Sequence, residues 1–257
     1  MPAVVALLDS RPALTALRRG LAGSRWTVVA CRTPGSLLAA LADRLVDAVV
    51  LGVQQARRAG LAELRARYPA IPTVAYGVVR ADDGDLLLSW HRLGLRAIVV
   101  AGVDDPVLGD LVARHTASAL RRRALESAPR LLRLTEPIQL AAWRVLQEEG
   151  GGPIETAEIA RRLGMSREHL SRQFGAGGAP NLKRVIDFLR VAAAAELAAN
   201  PGYDPPAIAA RTGFSSPGHL RATVRRLTGS DLGALAAGGP AAVLGGFVQV
   251  GLRSRSE

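Results

Sequence analysis

Short apolar runs alternate with helical stripes through the first half of the chain. Val4–Leu8, Trp26–Ala30, Ala48–Leu51, Thr73–Tyr76 and Ala97–Val100 are each bounded by turn or polar residues, and they are rich in β-branched side chains. That is the pattern of strands buried on both faces. Between them, apolar residues recur at helical spacing: Leu14, Leu17 and Leu21; Leu37, Leu38, Leu41 and Leu45; Leu61 and Leu64; Leu86, Leu87, Trp90 and Leu93; Val107, Leu108, Leu111 and Val112. Five such β-α units predict a parallel sheet covered by helices on both faces, because a parallel crossover needs a covering helix. The expected strand order is the flavodoxin-like 2-1-3-4-5. The last helix is expected to continue past Thr116 to Leu125 and to carry Arg121, Arg122 and Arg123, as a solvated face or as phosphate contacts. Ser127-Ala128-Pro129 then breaks the helical pattern.

The second half contains an internal repeat. Ile159–Phe174 matches Ile208–Val224, with an offset of 49 up to the turn serine and 50 beyond it. Each copy has a small residue where two helices approach (Ala160, Ala209) and a glycine that can take φ > 0 to stop the first helix (Gly164, Gly213). An apolar plug follows (Met165, Phe214), then a serine to cap the next helix (Ser166, Ser216). The i,i+4 pairs Leu170/Phe174 and Leu220/Val224 hold that helix on the core. This is a helix-turn-helix twice over. Between the copies, Leu182–Ala199 has no breaker and predicts a helix of about 27 Å. Such a spacer suits two recognition helices about 34 Å apart, one turn of DNA. The chain thus divides into an α/β domain (1–126), a linker (127–135), an all-α domain (136–235) and a Gly/Ala-rich tail (236–257). An apolar stretch, Val243–Val250, lies in that tail.

The first domain resembles the receiver domain of response regulators in length, unit count and the Ile71-Pro72 lead into the fourth strand. The resemblance implies a phosphorylation site at the carboxyl ends of the strands, and the matching positions are Asp9, Gly52, Gly77 and Ala101. Glycine offers nothing to phosphorylate, and a single carboxylate is a poor Mg²⁺ site. The expectation is a receiver-like fold without that chemistry, supplying dimerisation or taking a small-molecule or protein effector.

Residues from about 136 to 235 resemble the DNA-binding domain of AraC/XylS-family transcription regulators, on the two repeat motifs, on Gly213-Phe214-Ser215-Ser216 and on Arg225-Arg226 before Gly229. The resemblance implies that the helix after each turn enters the major groove. The implied DNA-facing residues are Arg167, Glu168, His169, Ser171 and Arg172 in the first motif. In the second they are Pro217, Gly218, His219, Ala222 and the arginines Arg221, Arg225 and Arg226. Three positions depart from the family pattern: Ala222 replaces an arginine, Val224 a phenylalanine, and Asp231-Leu232 a Ser-Pro pair. The first helix is therefore expected to read bases and the second mainly to hold phosphates. His169 and His219 occupy equivalent repeat positions and suit packing or phosphate contact. Trp143 reads as core.

Charge agrees with an anionic partner. The 257 residues carry 33 Lys+Arg against 22 Asp+Glu, a net of +11. Residues 1–125 carry +7 and residues 126–257 carry +4, so the excess is spread over both halves. Lys183 is the one lysine. Cys31 is the one cysteine, which excludes a disulfide and a thiolate metal site within the chain; it reads as a buried small hydrophobe. No metal or cofactor site is expected. No nucleophile-base pair, paired carboxylates or phosphate-binding glycine loop suggests an enzyme. Met1-Pro2-Ala3-Val4-Val5 lacks the basic start of a signal peptide, and the uncharged apolar runs are taken to fall short of the roughly 18 residues of a membrane span. The overall expectation is a cytoplasmic, dimeric DNA-binding transcription regulator. The alternative is a protein-interaction module that has lost specific DNA binding.

Overall fold

The computed structural model describes residues 3–23, 26–57 and 61–256. Met1 and Pro2 of the N-terminal lead and Glu257 of the tail lie outside them. The chain forms two compact units, residues 1–120 with the turn 200–202, and residues 121–199 with 203–257.

The first unit is a five-stranded, all-parallel sheet in the order β2-β1-β3-β4-β5, as expected. Its strands are β1 (Ala3–Leu7), β2 (Thr27–Cys31), β3 (Val46–Gly52), β4 (Thr73–Gly77) and β5 (Ala97–Val100). Every residue of β1 and β3 is buried, and the edge strands β2 and β5 are partly exposed. The main helices are α1 (Arg11–Gly20), α2 (Pro34–Asp43), α3 (Leu61–Arg67), α4 (Gly84–Arg92) and α5 (Leu108–Arg114), and α6 (Ala117–Ala124) begins in this unit and runs past its end at Leu120. One face of the sheet buries Val4, Ala48, Val50, Val74 and Val99 with Leu17 and Leu21 near α1 and Leu108 and Val112 of α5. α1 and α5 cross with backbone in contact: a Cβ on Gly20 would lie 2.8 Å from the backbone nitrogen of Gly109.

Two expectations change here. β3 begins at Val46, so Asp47 lies inside the strand and is 3% exposed rather than preceding it. And the last helix is broken: α5 stops at Arg114, and buried Thr116 starts α6 by accepting a hydrogen bond from Ala119 N–H (3.2 Å). A threonine hydroxyl offers the backbone such an alternative to continuing the helix. Cys31 is half-buried rather than buried. Its thiol donates to Ser36 C=O at 3.5 Å, and burial pushes its pKa up, away from a reactive thiolate.

The second unit is all-α. Its helices are α7 (Pro137–Glu148), α8 (Thr156–Arg162), α9 (Arg167–Phe174), α10 (Leu182–Ala198), α11 (Pro205–Arg211), α12 (Pro217–Thr228) and α13 (Leu232–Ser256). α10, capped by Asn181, is the hub and buries Val185, Phe188, Val191 and Ala192 through Ala195. Trp143 is buried and stacks on Phe188 at 6.4 Å.

The stretch read as a tail is helical to Ser256. Asp231 caps α13 by accepting from Ala234 N–H at 2.9 Å, so it supplies locally what a helix start needs. α13 kinks at Gly239, ahead of Pro240, then buries Val243, Leu244 and Phe247 and packs on α10 and α12. Phe247 meets Phe188 edge-on at 5.1 Å. Leu232–Leu252 is also long and apolar enough, by length and composition, to cross a membrane, contrary to the expected shortness of uncharged runs. Its glycines, alanines and proline interrupt the large side chains without adding a charge.

Candidate nucleic-acid interface

Both repeat motifs fold as helix-turn-helix units with the same local chemistry. Gly164 (φ +68°) and Gly213 (φ +75°) end α8 and α11 in the left-handed conformation that favours glycine. At that turn Met165 N–H returns to Ala160 C=O (3.0 Å) and Phe214 N–H to Ala209 C=O (2.8 Å), the bonds that close a helix end. Ser166 then accepts from His169 N–H (3.2 Å) and Ser216 from His219 N–H (3.1 Å), capping α9 and α12. Leu170, Phe174, Leu220 and Val224 are fully buried, so each recognition helix presents one fixed face to its unit and the opposite face to solvent.

The exposed face of α9 carries Arg167, Glu168, His169, Ser171 and Arg172, and also Gln173. The exposed face of α12 carries Gly218, His219, Arg221, Ala222, Arg225 and Arg226, with Pro217 partly covered. Among the described residues, Arg167, Arg172, Arg221 and Arg225 have no ion-pair partner, which leaves their guanidinium groups for an outside acceptor. Arg221, Ala222 and Arg225 edge a hollow of about 530 Å³ with Asp231 and Leu232.

Other basic residues are committed internally. Arg226 pairs with Asp187 of α10 at 3.0 Å, so its guanidinium is shared with the scaffold. Arg121 is buried and pairs with Glu196 while donating to Gly150 C=O; it is therefore neither a solvated nor a phosphate-facing member of its triplet. Arg162 bridges Glu149 (2.7 Å) and Glu158 (2.8 Å), and Arg161 joins Glu158 at 2.7 Å. The hydrogen bonds from these two arginines hold the Glu158 carboxyl down to about 2. His219 is fixed by Ser215 Oγ at 3.0 Å from its Nδ1 and by the edge of Phe214.

Sequence reasoning missed Gln139. It is fully buried, accepts from Thr135 and Glu136 N–H (2.9 and 3.0 Å) and donates to Phe174 C=O at 2.8 Å. It ties the end of α9 to the start of α7. The Glu136/Gln139 capping spacing was the available signal.

In the first unit, Asp9, Gly52, Gly77 and Ala101 do gather at the carboxyl ends of neighbouring strands. Asp9 accepts from Gln54 N–H at 3.1 Å, and Ala101 N–H donates to Gly77 C=O at 3.0 Å. A Cβ on Gly52 would fall on the Asp9 carboxylate. Among the described residues no group of three His, Cys, Asp or Glu side chains gathers as a metal site.

Residues 159–237 match the family model described as a helix-turn-helix domain. No curated protein matches the chain. Similar solved structures include the N-terminal signal receiver domain of a two-component response regulator from Bacteroides fragilis, 22% identical over 45% of this chain and 96% of that one, with a TM-score of 0.40. A CheY-like protein from Pseudomonas aeruginosa is 24% identical over 44% of this chain and 98% of its own, at a TM-score of 0.38. Full-length FixJ from B. japonicum is 13% identical over 87% and 95%, at 0.39. The class defined is a DNA-binding transcription regulator. Its C-terminal unit carries a helix-turn-helix domain of the AraC type, and its N-terminal unit is an α/β fold on a five-stranded parallel sheet.

Proposed function

We propose that the chain is a cytoplasmic regulator that binds specific DNA sequences through its paired recognition helices. The observation that carries this reading is the pair of serine-capped helices with polar, cationic outer faces and fully buried inner ones. Glu168, Ser171 and Arg172 of α9 read base edges, with Arg167 and His169 alongside. Arg221 and Arg225 of α12 neutralise phosphates, and Pro217, Gly218 and His219 bring the start of that helix close to the duplex. Arg226 acts there from its bond to Asp187. The receiver-like unit serves dimerisation or signal input that needs no phosphorylation. Exposed Val78, Leu88, Val103 and Val107, on the segments around β4 and β5, suit a second copy. Asp9 lying over side-chain-free Gly52 suits phosphorylation-independent input.

Selection of sites from a random DNA pool by the full chain tests this, and an enriched motif spanning about two helical turns is expected. Arg172→Ala is expected to cost about 1–3 kcal/mol on the selected site and to relax preference at one base. Equal loss on selected and random DNA would remove the base-reading role. Arg225→Ala is expected to lower the salt slope of binding by about one unit with sequence preference unchanged, and an unaltered slope would exclude the phosphate contact. The second reading is a protein-interaction module. It is favoured by Gly218 and Ala222, which leave α12 few groups for bases, and failure of the pool to enrich would support it.

A further inference from the structure

The helical unit holds a second feature that the DNA-binding reading does not use. The helical turn Ala128–Leu131, the glycine turn at Gly178, the first turn of α10 and the end of α13 enclose an open cavity of about 450 Å³. That size is within the range of small-molecule sites. Three arginines line it, Arg130, Arg133 and Arg184, and among the described residues no acidic side chain does. The opposite lining is apolar: Leu131, Phe247 and Leu252, of which Leu131 is 43% and Leu252 58% exposed.

Arg130 and Arg133 are exposed, whereas Arg184 is poorly served by the protein itself. Arg184 stands 5.0 Å over the Phe247 ring, and its buried Nε has no hydrogen-bond partner among the described residues. A buried donor without an acceptor is costly, and a guanidinium presents its donors in a fork that matches a carboxylate. Arg133 is held at φ +56°, the one non-glycine residue in that region among those described, and backbone strain of this kind gathers at ligand sites.

We propose that this cavity binds a small amphipathic carboxylic acid. Its carboxylate sits among Arg184, Arg133 and Arg130, and its apolar body lies along Phe247, Leu131 and Leu252. A bare inorganic anion would leave the apolar wall wet, and a neutral lipid would leave the guanidinium donors unanswered. The signal site is thereby placed in the helical unit, whereas sequence reasoning sought an effector only in the receiver-like one. α13, which lines the cavity through Phe247, also packs on α12, so the ligand braces the helix behind the second recognition helix.

Calorimetric titration of the full chain with octanoate, octan-1-ol, acetate and inorganic phosphate tests the site without any DNA, so its failure is separate from failure of the DNA-binding reading. Saturable one-to-one binding of octanoate is expected, at least about tenfold tighter than the other three. Arg184→Met and Arg133→Gly are each expected to weaken it about tenfold or more. Arg133→Gly suits the positive φ, so it keeps the fold if Arg184→Met does not. Absence of saturable octanoate binding at millimolar concentrations would overturn the proposal. So would octan-1-ol, acetate or phosphate binding as tightly as octanoate, or undiminished binding by Arg133→Gly.

Discussion

Phe174→Ala is expected to destabilise the helical unit by about 3–5 kcal/mol and to abolish specific DNA binding with it. Phe174 closes α9 and is completely buried. Its truncation loses the transfer free energy of a benzyl group and leaves a cavity that helices on several sides cannot all collapse into. α9 has eight residues, too few to hold a helix in water by itself, so its tertiary anchors carry it. Two anchors meet at this residue: the ring in the core, and the carbonyl that accepts from Gln139 at 2.8 Å. Urea denaturation followed by far-ultraviolet circular dichroism, with DNA binding measured alongside, checks the prediction. A loss below about 1 kcal/mol would show that α9 is held elsewhere. Arg172→Ala, on the exposed face of the same helix, provides the contrast, because its urea transition should not move while its DNA affinity falls.

In the sheet unit the largest expected effect belongs to Asp47. This strand carboxylate accepts from Trp26 Nε1–H at 2.6 Å, from Ser118 N–H at 2.9 Å and from Ser118 Oγ–H at 2.6 Å. It therefore fastens the lead into β2 and the start of α6 to the middle strand. Among the described residues no cation pairs with it, so its charge is answered by neutral donors. Asp47→Ala takes one acceptor away from each of those donors, two of them on buried Ser118, and a loss of about 3 kcal/mol is expected. Asp47→Asn keeps one acceptor oxygen but turns a donor toward Ser118 or Trp26, and should fall between alanine and the parent. Urea denaturation of the three proteins decides the order. An alanine variant within about 0.5 kcal/mol of the parent would mean that water replaces the carboxylate and that the network adds nothing to stability.

Asp47 also shows where reading the chain by itself stops. A charged residue ahead of a run of valines looks like the polar boundary of a strand, and Ser118, its partner, is 71 positions away. Arg121 is similar. In a triplet of arginines nothing local separates the one that turns inward to Glu196, 75 positions on, from its two neighbours. Arg226 looked like a free cation beside Arg225 until the fold brought Asp187 to it. In each case the deciding partner is distant, and no periodicity records it. α13 was misread for another reason. Small residues and an internal Gly-Pro pair weaken the helical signal, while the packing of Phe247 on Phe188 fixes the helix after folding.

By contrast, the five strands, the repeated helix-turn-helix and the cap of each recognition helix were legible beforehand, although burial on both faces holds for the inner strands β1 and β3 and not for the edge strands β2 and β5. Strand burial is recorded in runs of adjacent residues, and a helix stop or cap is set by one glycine or one serine within three or four positions of the group it satisfies. The sequence by itself determined those local elements and the chemistry on the outer faces of α9 and α12. The tertiary structure decided which arginines remain free for a partner, which carboxylate becomes a buried hub, and that Arg184 meets Phe247 across a cavity. Those outcomes depend on burial and on pairing between distant segments, and both exist only once the chain has closed on itself.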